Sequence, residues 1–321
     1  MKRFLVKVLF YLSIIYIIDC LSGILFPYLV KNAQGGDNGR NNYICDLTNE
    51  DILIFGSSRA IHHYNPRIIS DSTKLSCYNC GQDGCGIILN YARLKLIKQR
   101  YSPRVILYDI IPKFDIYEGI DNHQYLTWLK AYYDRDGIAE VFDDVDTTES
   151  IKMLSNLYRY NSKFIQILSD YFKPLQSTGI NGYRPLIGNL ENIPINRDEN
   201  DNQFDIDTLK IKYFRSFIND SKESKVFFVV SPIYNGFDSV QFEPIRMLCK
   251  ECGIPFINFG NHPKYFHNPN YFKDSGHLNS KGADEFSKDI IRELKRIKNK
   301  IGFVSPERRY EAPTVARPPQ M

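Results

Sequence analysis

The stretch Asp51-Ile52-Leu53-Ile54-Phe55-Gly56-Ser57-Ser58-Arg59-Ala60-Ile61-His62-His63 decides how the chain is read. An unbroken apolar run ends in a glycine, and polar residues that can open a short helix follow it. A strand that is apolar without alternation is one buried on both faces, as in a parallel sheet covered by helices. Four further runs have the same character: Leu75 to Asn79, Arg104 to Asp109, Lys225 to Val230 and Pro255 to Phe259. Helical patterns separate them. Ile87, Ile88, Tyr91 and Leu94 share one face after Gly86, and Ala283, Phe286, Ile290, Leu294, Ile297 and Ile301 keep one stripe to the end of the last helix. This repetition predicts an α/β domain, a doubly wound parallel sheet of five strands, over residues 51–304.

The gap between the third and fourth strands, residues 113–224, is far too long for one crossover. It reads as a large, mainly helical insertion. Ile151, Leu154, Leu157, Ile165 and Leu168 form a helical stretch with a break near Asn161, and Gln176 to Asp205 is loop-like, rich in Asn, Gly and Pro. An insertion over strand ends commonly builds a pocket or a lid.

Before the domain, Lys2, Arg3 and Lys7 precede an apolar run from Val8 to Val30 that carries one formal charge, Asp19. As a helix, these residues would span about 35 Å, enough for a bilayer. Asp19 at mid-depth costs about 3 kcal/mol, while each Leu, Ile, Val or Phe of the run returns about 0.3 to 0.6 kcal/mol. Fourteen such residues outweigh the one aspartate. The run is therefore expected to be a transmembrane anchor (residues 1–30, with 8–30 in the membrane). A cleaved signal peptide is the rival reading, but no A-x-A-like site follows. The positive charges ahead of the span put the N-terminus in the cytoplasm and the domain outside, in the periplasm or beyond a bacterial-type inner membrane. Asp19 is either a tolerated polar residue or a pairing site for a partner helix. Residues 31–50, polar and rich in Gly and Asn, read as a linker; residues 305–321, with four prolines, read as a disordered tail.

Charged residues make up 24% of the 321, with 41 basic against 37 acidic, and the basic residues form no long block, which argues against a nucleic-acid footprint. The seven cysteines include Cys77-x2-Cys80 and Cys249-x2-Cys252, the outline of a four-thiolate zinc site, but the pairs lie far apart and the first falls on an expected strand. Disulfides and free thiols both remain open for them.

Chemistry concentrates in two places. A serine at a strand-to-helix turn projects its hydroxyl from the carboxyl edge of the sheet, beside amides that can stabilise an oxyanion. Ser58 holds that register, with Ser57 as the alternative. Near the other end, Asp274-Ser275-Gly276-His277-Leu278-Asn279 sets an acid and a histidine three residues apart just before the last helix. Such a pair can orient an imidazole toward a nucleophile from another strand.

At these residues the chain resembles the SGNH (GDSL-like) hydrolase superfamily, in particular its membrane-anchored cell-envelope branch. Gly56-Ser57-Ser58 looks like the first block, Asn79-Cys80-Gly81-Gln82-Asp83-Gly84 like the second, and Asp274 to Asn279 followed by Gly282-Ala283 like the last. The resemblance implies a flavodoxin-like three-layer sandwich and a triad of Ser58, His277 and Asp274. It also implies oxyanion donors in the amides of Ser58 and Gly84, and no metal or cofactor. It departs from the family at the third strand, where Gly-x-Asn-Asp is replaced by Tyr108-Asp109-Ile110-Ile111-Pro112. An ionised Asp109 cannot donate as the missing Asn would. Arg59, Asp109 and His62 are candidate substrate contacts, with contact to Arg59 or a loop cap as the alternatives for Asp109. The expected activity is hydrolysis or transfer of acyl groups, acetyl first among them, on an acylated carbohydrate of the envelope or extracellular polysaccharide. The alternative is an inactive protein of this fold that binds a glycan or a protein partner.

Overall fold

The computed structural model describes residues 1–119, 126–161, 163–191 and 205–301. The expected tail, 305–321, and much of the expected loop lie outside the described residues. The five expected strands all form: β1 (Ile52–Gly56), β2 (Cys77–Asn79), β3 (Val105–Asp109), β4 (Lys225–Val230) and β5 (Phe256–Asn258). They make one parallel sheet in the order β2-β1-β3-β4-β5. Register puts Ile54 opposite Asn79 and Gly56 opposite Asp109, so the loop after β2 and the end of β3 flank the exit of β1.

The unbroken apolar runs divide by alternation between two cores. Leu53, Phe55, Ile106, Tyr108, Val226 and Phe228 face one helical layer, and Ile52, Ile54, Leu107, Phe227 and Val229 face the other. The first layer holds α5 (Ile87–Lys98) and the crossover helix α8 (Thr208–Asp220), with α9 (Glu243–Cys252) beside them. The second holds α3 (Ser58–His63), α4 (Pro66–Thr73) and α10 (Ser280–Ile301), whose Ala283, Phe286 and Ile290 are fully buried. Burying a side chain the size of Phe286 is worth about 1.5–3 kcal/mol.

The N-terminal run forms one helix, α1 (Lys2–Asn32), long and apolar enough to cross a membrane. Its C-terminal half is not free. The Asp19 carboxylate accepts from Ser155 Oγ at 2.7 Å, the Leu157 amide at 2.8 Å and Asn156 Nδ2 at 3.0 Å. These donors belong to the start of α6 (Asn156–Tyr160), and α7 (Phe164–Phe172) packs farther along α1 through Ile167 against Leu29 and Val30. The expected break at Asn161 separates α6 from α7. The expectation of an unpaired or partner-seeking Asp19 is thus corrected: the partner is this chain's own insertion.

Residues 31–50 are corrected too. They form α2 (Gly36–Asn42) and a π-helical turn, Tyr43–Leu47, with Arg40, Asn41, Ile44 and Cys45 buried. Polar composition suggested a solvated linker, but these polar groups are consumed inside. Arg40 donates to the Asn79 carbonyl at 2.7 Å, and Arg93 from α5 donates to Asn41 Oδ1 at 2.9 Å, to the Cys80 carbonyl at 3.0 Å and to Gln82 Oε1 at 2.9 Å. Burial lowers the Arg40 pKa to about 10. Two guanidinium groups are thereby held by neutral acceptors, and the loop after β2 is shaped around them. All seven cysteines are free, five of them buried, and no cluster of metal-ligating side chains occurs among the described residues.

Asn41→Ala removes the acceptor shared by two Arg93 nitrogens, and a lost hydrogen bond to a buried charge costs about 2–3 kcal/mol. Urea unfolding of the detergent-solubilised protein is expected to show a loss of that size; a change under about 0.5 kcal/mol, the size of an ordinary surface substitution, would mean that water takes over.

Candidate active site

β1 ends at Gly56, whose φ of +136° belongs to glycine and whose Cβ, if present, would lie 2.6 Å from the Asp109 carbonyl oxygen. That close approach lets the chain turn at once into α3. Ser57 points inward, fully buried, with its hydroxyl unpartnered, whereas Ser58 opens the helix and faces out. The two candidate hydroxyls are thereby told apart by geometry.

Ser58 Oγ lies 2.8 Å from His277 Nε2. His277 Nδ1 lies 2.9 and 3.1 Å from the two oxygens of Asp274, which also accepts from the amides of Gly276 and His277 at 2.9 Å. With the Nδ1 proton donated to the carboxylate, Nε2 is left to accept from the serine. Partial burial works against the Asp274 carboxylate, but the hydrogen bond and charge of His277 and the two amides outweigh it and hold its pKa below the ordinary range. The three residues brought together come from two ends of the chain, and α10 packing on α3 and α4 sets their separation.

Gly84 sits in the loop after β2 with φ +68°. Asn79 shapes this loop: its side chain donates to the carbonyls of Ala60 (2.6 Å) and Tyr64 (3.2 Å) and accepts from the Gly81 amide (3.0 Å), tying it to α3. His62 stands at the rim. Its ring is 5.6 Å from that of His277, with Nδ1 2.6 Å from the Arg184 carbonyl and Nε2 3.3 Å from Asp83.

Arg59 and Asp109 do not contact the crevice as substrate contacts would; of the readings open for Asp109, the structure has the one in which it meets Arg59. They are 3% and 0% exposed and face each other beneath it, Arg59 Nε 3.7 Å from Asp109 Oδ1. Arg59 also donates to the carbonyls of Ile110 and Ser231, with its guanidinium 4.8 Å over Phe237, and Asp109 accepts from Tyr64 OH at 2.6 Å. Burial pushes the Asp109 carboxyl up, against the pull of Arg59, Ser231 and Tyr64. A hydrophobic sheet leaves a buried charge no other outlet, so the pair is structural.

The second histidine of α3 has a structural place. His63, one position past His62, is fully buried, and its Nε2 accepts the Leu278 amide at 3.0 Å while Nδ1 meets Ser231 Oγ at 2.9 Å. Because the amide must donate, Nδ1 carries the ring proton. His63 thus ties the residue after His277 to the end of β4. No spacing in the sequence distinguishes it from His62; only the facing of α3 does. Of the insertion, the segment after α7 borders the crevice, with Asn189 receiving the Asn279 amide group at 3.1 Å and Arg184 beside His62, while α6 and α7 grip α1 instead of forming a lid.

No family model matches the chain, and no curated protein matches it. Among solved structures, one from Streptococcus pneumonia, provisionally described as a platelet activating factor, is 12% identical with a TM-score of 0.40 over 85% of this chain and 97% of that one. At that distance it carries no inference about activity.

Burial first, then the neighbouring charges of His277, Arg59 and His62, hold the His63 pKa well below the usual histidine value. The folded protein keeps it neutral while the unfolded chain takes a proton below about pH 6.5. Stability contributed by the neutral ring is therefore complete above that pH and is lost below it, by up to about 1.4 kcal/mol per pH unit. Urea midpoints measured from pH 7 to 5 are expected to fall more steeply for the wild type than for His63→Gln; equal slopes would remove His63 from this role.

Proposed function

We propose that the chain is a membrane-anchored serine esterase or O-acyltransferase of the SGNH (GDSL-like) type, acting on acyl esters of cell-envelope or extracellular polysaccharide. The observation that carries this reading is the unbroken hydrogen-bonded line from Ser58 through His277 to Asp274, with separations of 2.8 and 2.9 Å. A hydroxyl more than about 5 Å from the imidazole would have been out of hydrogen-bond reach and would have argued for a binding protein.

In this mechanism His277 Nε2 takes the Ser58 proton as Oγ attacks the ester carbonyl. Asp274 stabilises the resulting imidazolium, and the tetrahedral oxyanion receives the amides of Ser58 and Gly84. Collapse breaks the bond to the leaving alkoxide, which takes the proton from His277 and leaves an acyl-Ser58. Water as the next acceptor completes hydrolysis, whereas a sugar hydroxyl completes transfer. Loss of the usual Asn donor after β3 removes about 3 kcal/mol of oxyanion stabilisation unless substrate binding supplies another donor. The helix α1 holds the enzyme in the membrane, with residues 1–30 as its anchor, its N-terminus cytoplasmic and its domain outside.

The second reading, a glycan- or protein-binding relative without turnover, is favoured by one observation: Asp109 and Arg59, which stand near the missing donor, are locked beneath the crevice and cannot stand in for it.

Labelling of the full chain in detergent with a fluorophosphonate serine probe separates the two. The wild type is expected to label and Ser58→Ala and His277→Ala to lose labelling, with Asp274→Asn slowing it by about 10³–10⁴-fold. A folded wild type that does not label overturns the enzyme reading, and binding on a glycan array then becomes the expected activity.

A further inference from the structure

The insertion has an apolar surface that its own core does not use. Ile151, Leu154, Phe164, Ile165, Leu168 and Phe172 are exposed, Leu154 by 82% and Phe172 by 80%. On α7 these residues form one stripe, Phe164, Ile165, Leu168 and Phe172, beside the face that buries Ile167 and Asp170. Helix α1 repeats the arrangement. Asp19, Ser22, Gly23, Phe26, Leu29 and Val30 form the face turned to the insertion, while Leu21, Ile24, Leu25 and Tyr28 stay exposed.

The contact is tight and polar at its deep end. A Cβ on Gly23 would lie 2.6 Å from Asn156 Nδ2, so α6 sits directly on the helix at this level, and Phe26 stacks on Tyr160 with centroids 5.5 Å apart. The Asp19 charge receives three donors there and requires no water. Lys152, at the same corner, is neutralised by Asp146 and Glu149 within 3.0 Å.

Length then decides where the lipid lies. If the bilayer ended where the insertion begins, only Val8 to Ile18 would cross after Lys7, eleven residues. They rise about 16 Å, against a hydrocarbon core of about 30 Å. Counting back to Phe4 adds only about 6 Å. The span is completed only by the outer half of α1, the half the insertion grips. That half therefore lies in lipid together with what is bound to it, and the exposed stripe continues the lipid-facing surface of α1. Exposed apolar patches mark protein or membrane contacts, and beside a membrane-spanning helix the lipid is the surface at hand.

We infer that α6 and α7 are seated in the outer leaflet, with Leu154 and the Phe164–Phe172 stripe in contact with acyl chains and Asp19 as the clamp that fixes their depth. This rests on the membrane-anchor reading of α1. It goes beyond tethering, because the domain is held at a set height and orientation. A chain of contacts runs from α2, which follows α1, to the crevice: Asp37 pairs with Arg184 at 2.6 Å, whose carbonyl meets His62, whose ring adjoins His277. The proposed catalytic serine is thereby kept near the membrane surface.

The test is spin-label depth measurement on the full chain in liposomes, in a background of Cys20→Ala and Cys252→Ala, the two exposed cysteines. Labels are placed by Leu154→Cys and Phe172→Cys, by Ile14→Cys as the anchor control and by Met247→Cys on α9 as the solvent control. Collisions with oxygen relative to a water-soluble nickel complex are expected to be several-fold higher at Leu154, Phe172 and Ile14 than at Met247. Solvent-like ratios at Leu154 and Phe172 with a lipid-like ratio at Ile14 overturn the seating and leave the anchor standing. A solvent-like ratio at Ile14 as well overturns the anchor reading itself. In Asp19→Leu the anchor signal at Ile14 is expected to persist while the signal at Leu154 moves toward solvent; an unchanged Leu154 would remove the clamp role.

Discussion

The pairing of β1 with β3, which sets Gly56 opposite Asp109, is the constraint on which the rest of the molecule depends. It ends two central strands at the same height, so everything that follows them emerges at one edge. Ser58 rises from β1, Ile110 and Ser231 turn their carbonyls toward Arg59, and Asp109 closes the floor through Arg59 and Tyr64. A side chain at Gly56 would collide with the Asp109 carbonyl, so the tight packing at this point and the sharp turn that presents Ser58 have one cause.

Charge is distributed around that edge in two ways. Below and behind it, Arg40, Arg59 and Arg93 are buried and spend their donors on carbonyls, amide oxygens and a single carboxylate, which shapes loops. Buried ionic groups of this kind add little net stability but are costly to strip of partners. At the edge itself, Asp274 is half exposed and His277 partly so, held by a short turn rather than by the core. The His63 bond to the Leu278 amide compensates, because it fastens that turn to the buried end of β4.

The insertion couples this edge to α1. Helices α6 and α7 of the insertion pack on α1 rather than on the sheet, and the Asp19 carboxylate gives that packing a fixed register that apolar contacts alone would leave free to slide. Non-directional burial holds the helices together, and the charge-assisted hydrogen bonds decide where.

The sequence by itself determined the sheet. Five apolar runs became five strands of one parallel sheet, because strands buried on both faces leave a signal that needs no partner to be read. It also brought out Ser58, Asp274 and His277, whose turn and spacing are local, and the long apolar helix α1. It misjudged residues 31–50 and the partner of Asp19, and left Asp109 open between substrate, Arg59 and a loop cap, since a polar side chain looks the same in a sequence whether water or a distant carbonyl satisfies it. It likewise read Ile151, Leu154, Ile165 and Leu168 as a helical stretch without showing that they would stay exposed. Only the tertiary structure decided which hydroxyl faces His277, which histidine supports it and what Asp19 binds. Those choices rest on hydrogen bonds between residues more than a hundred positions apart, and their direction exists only once the sheet has brought both partners to the same place.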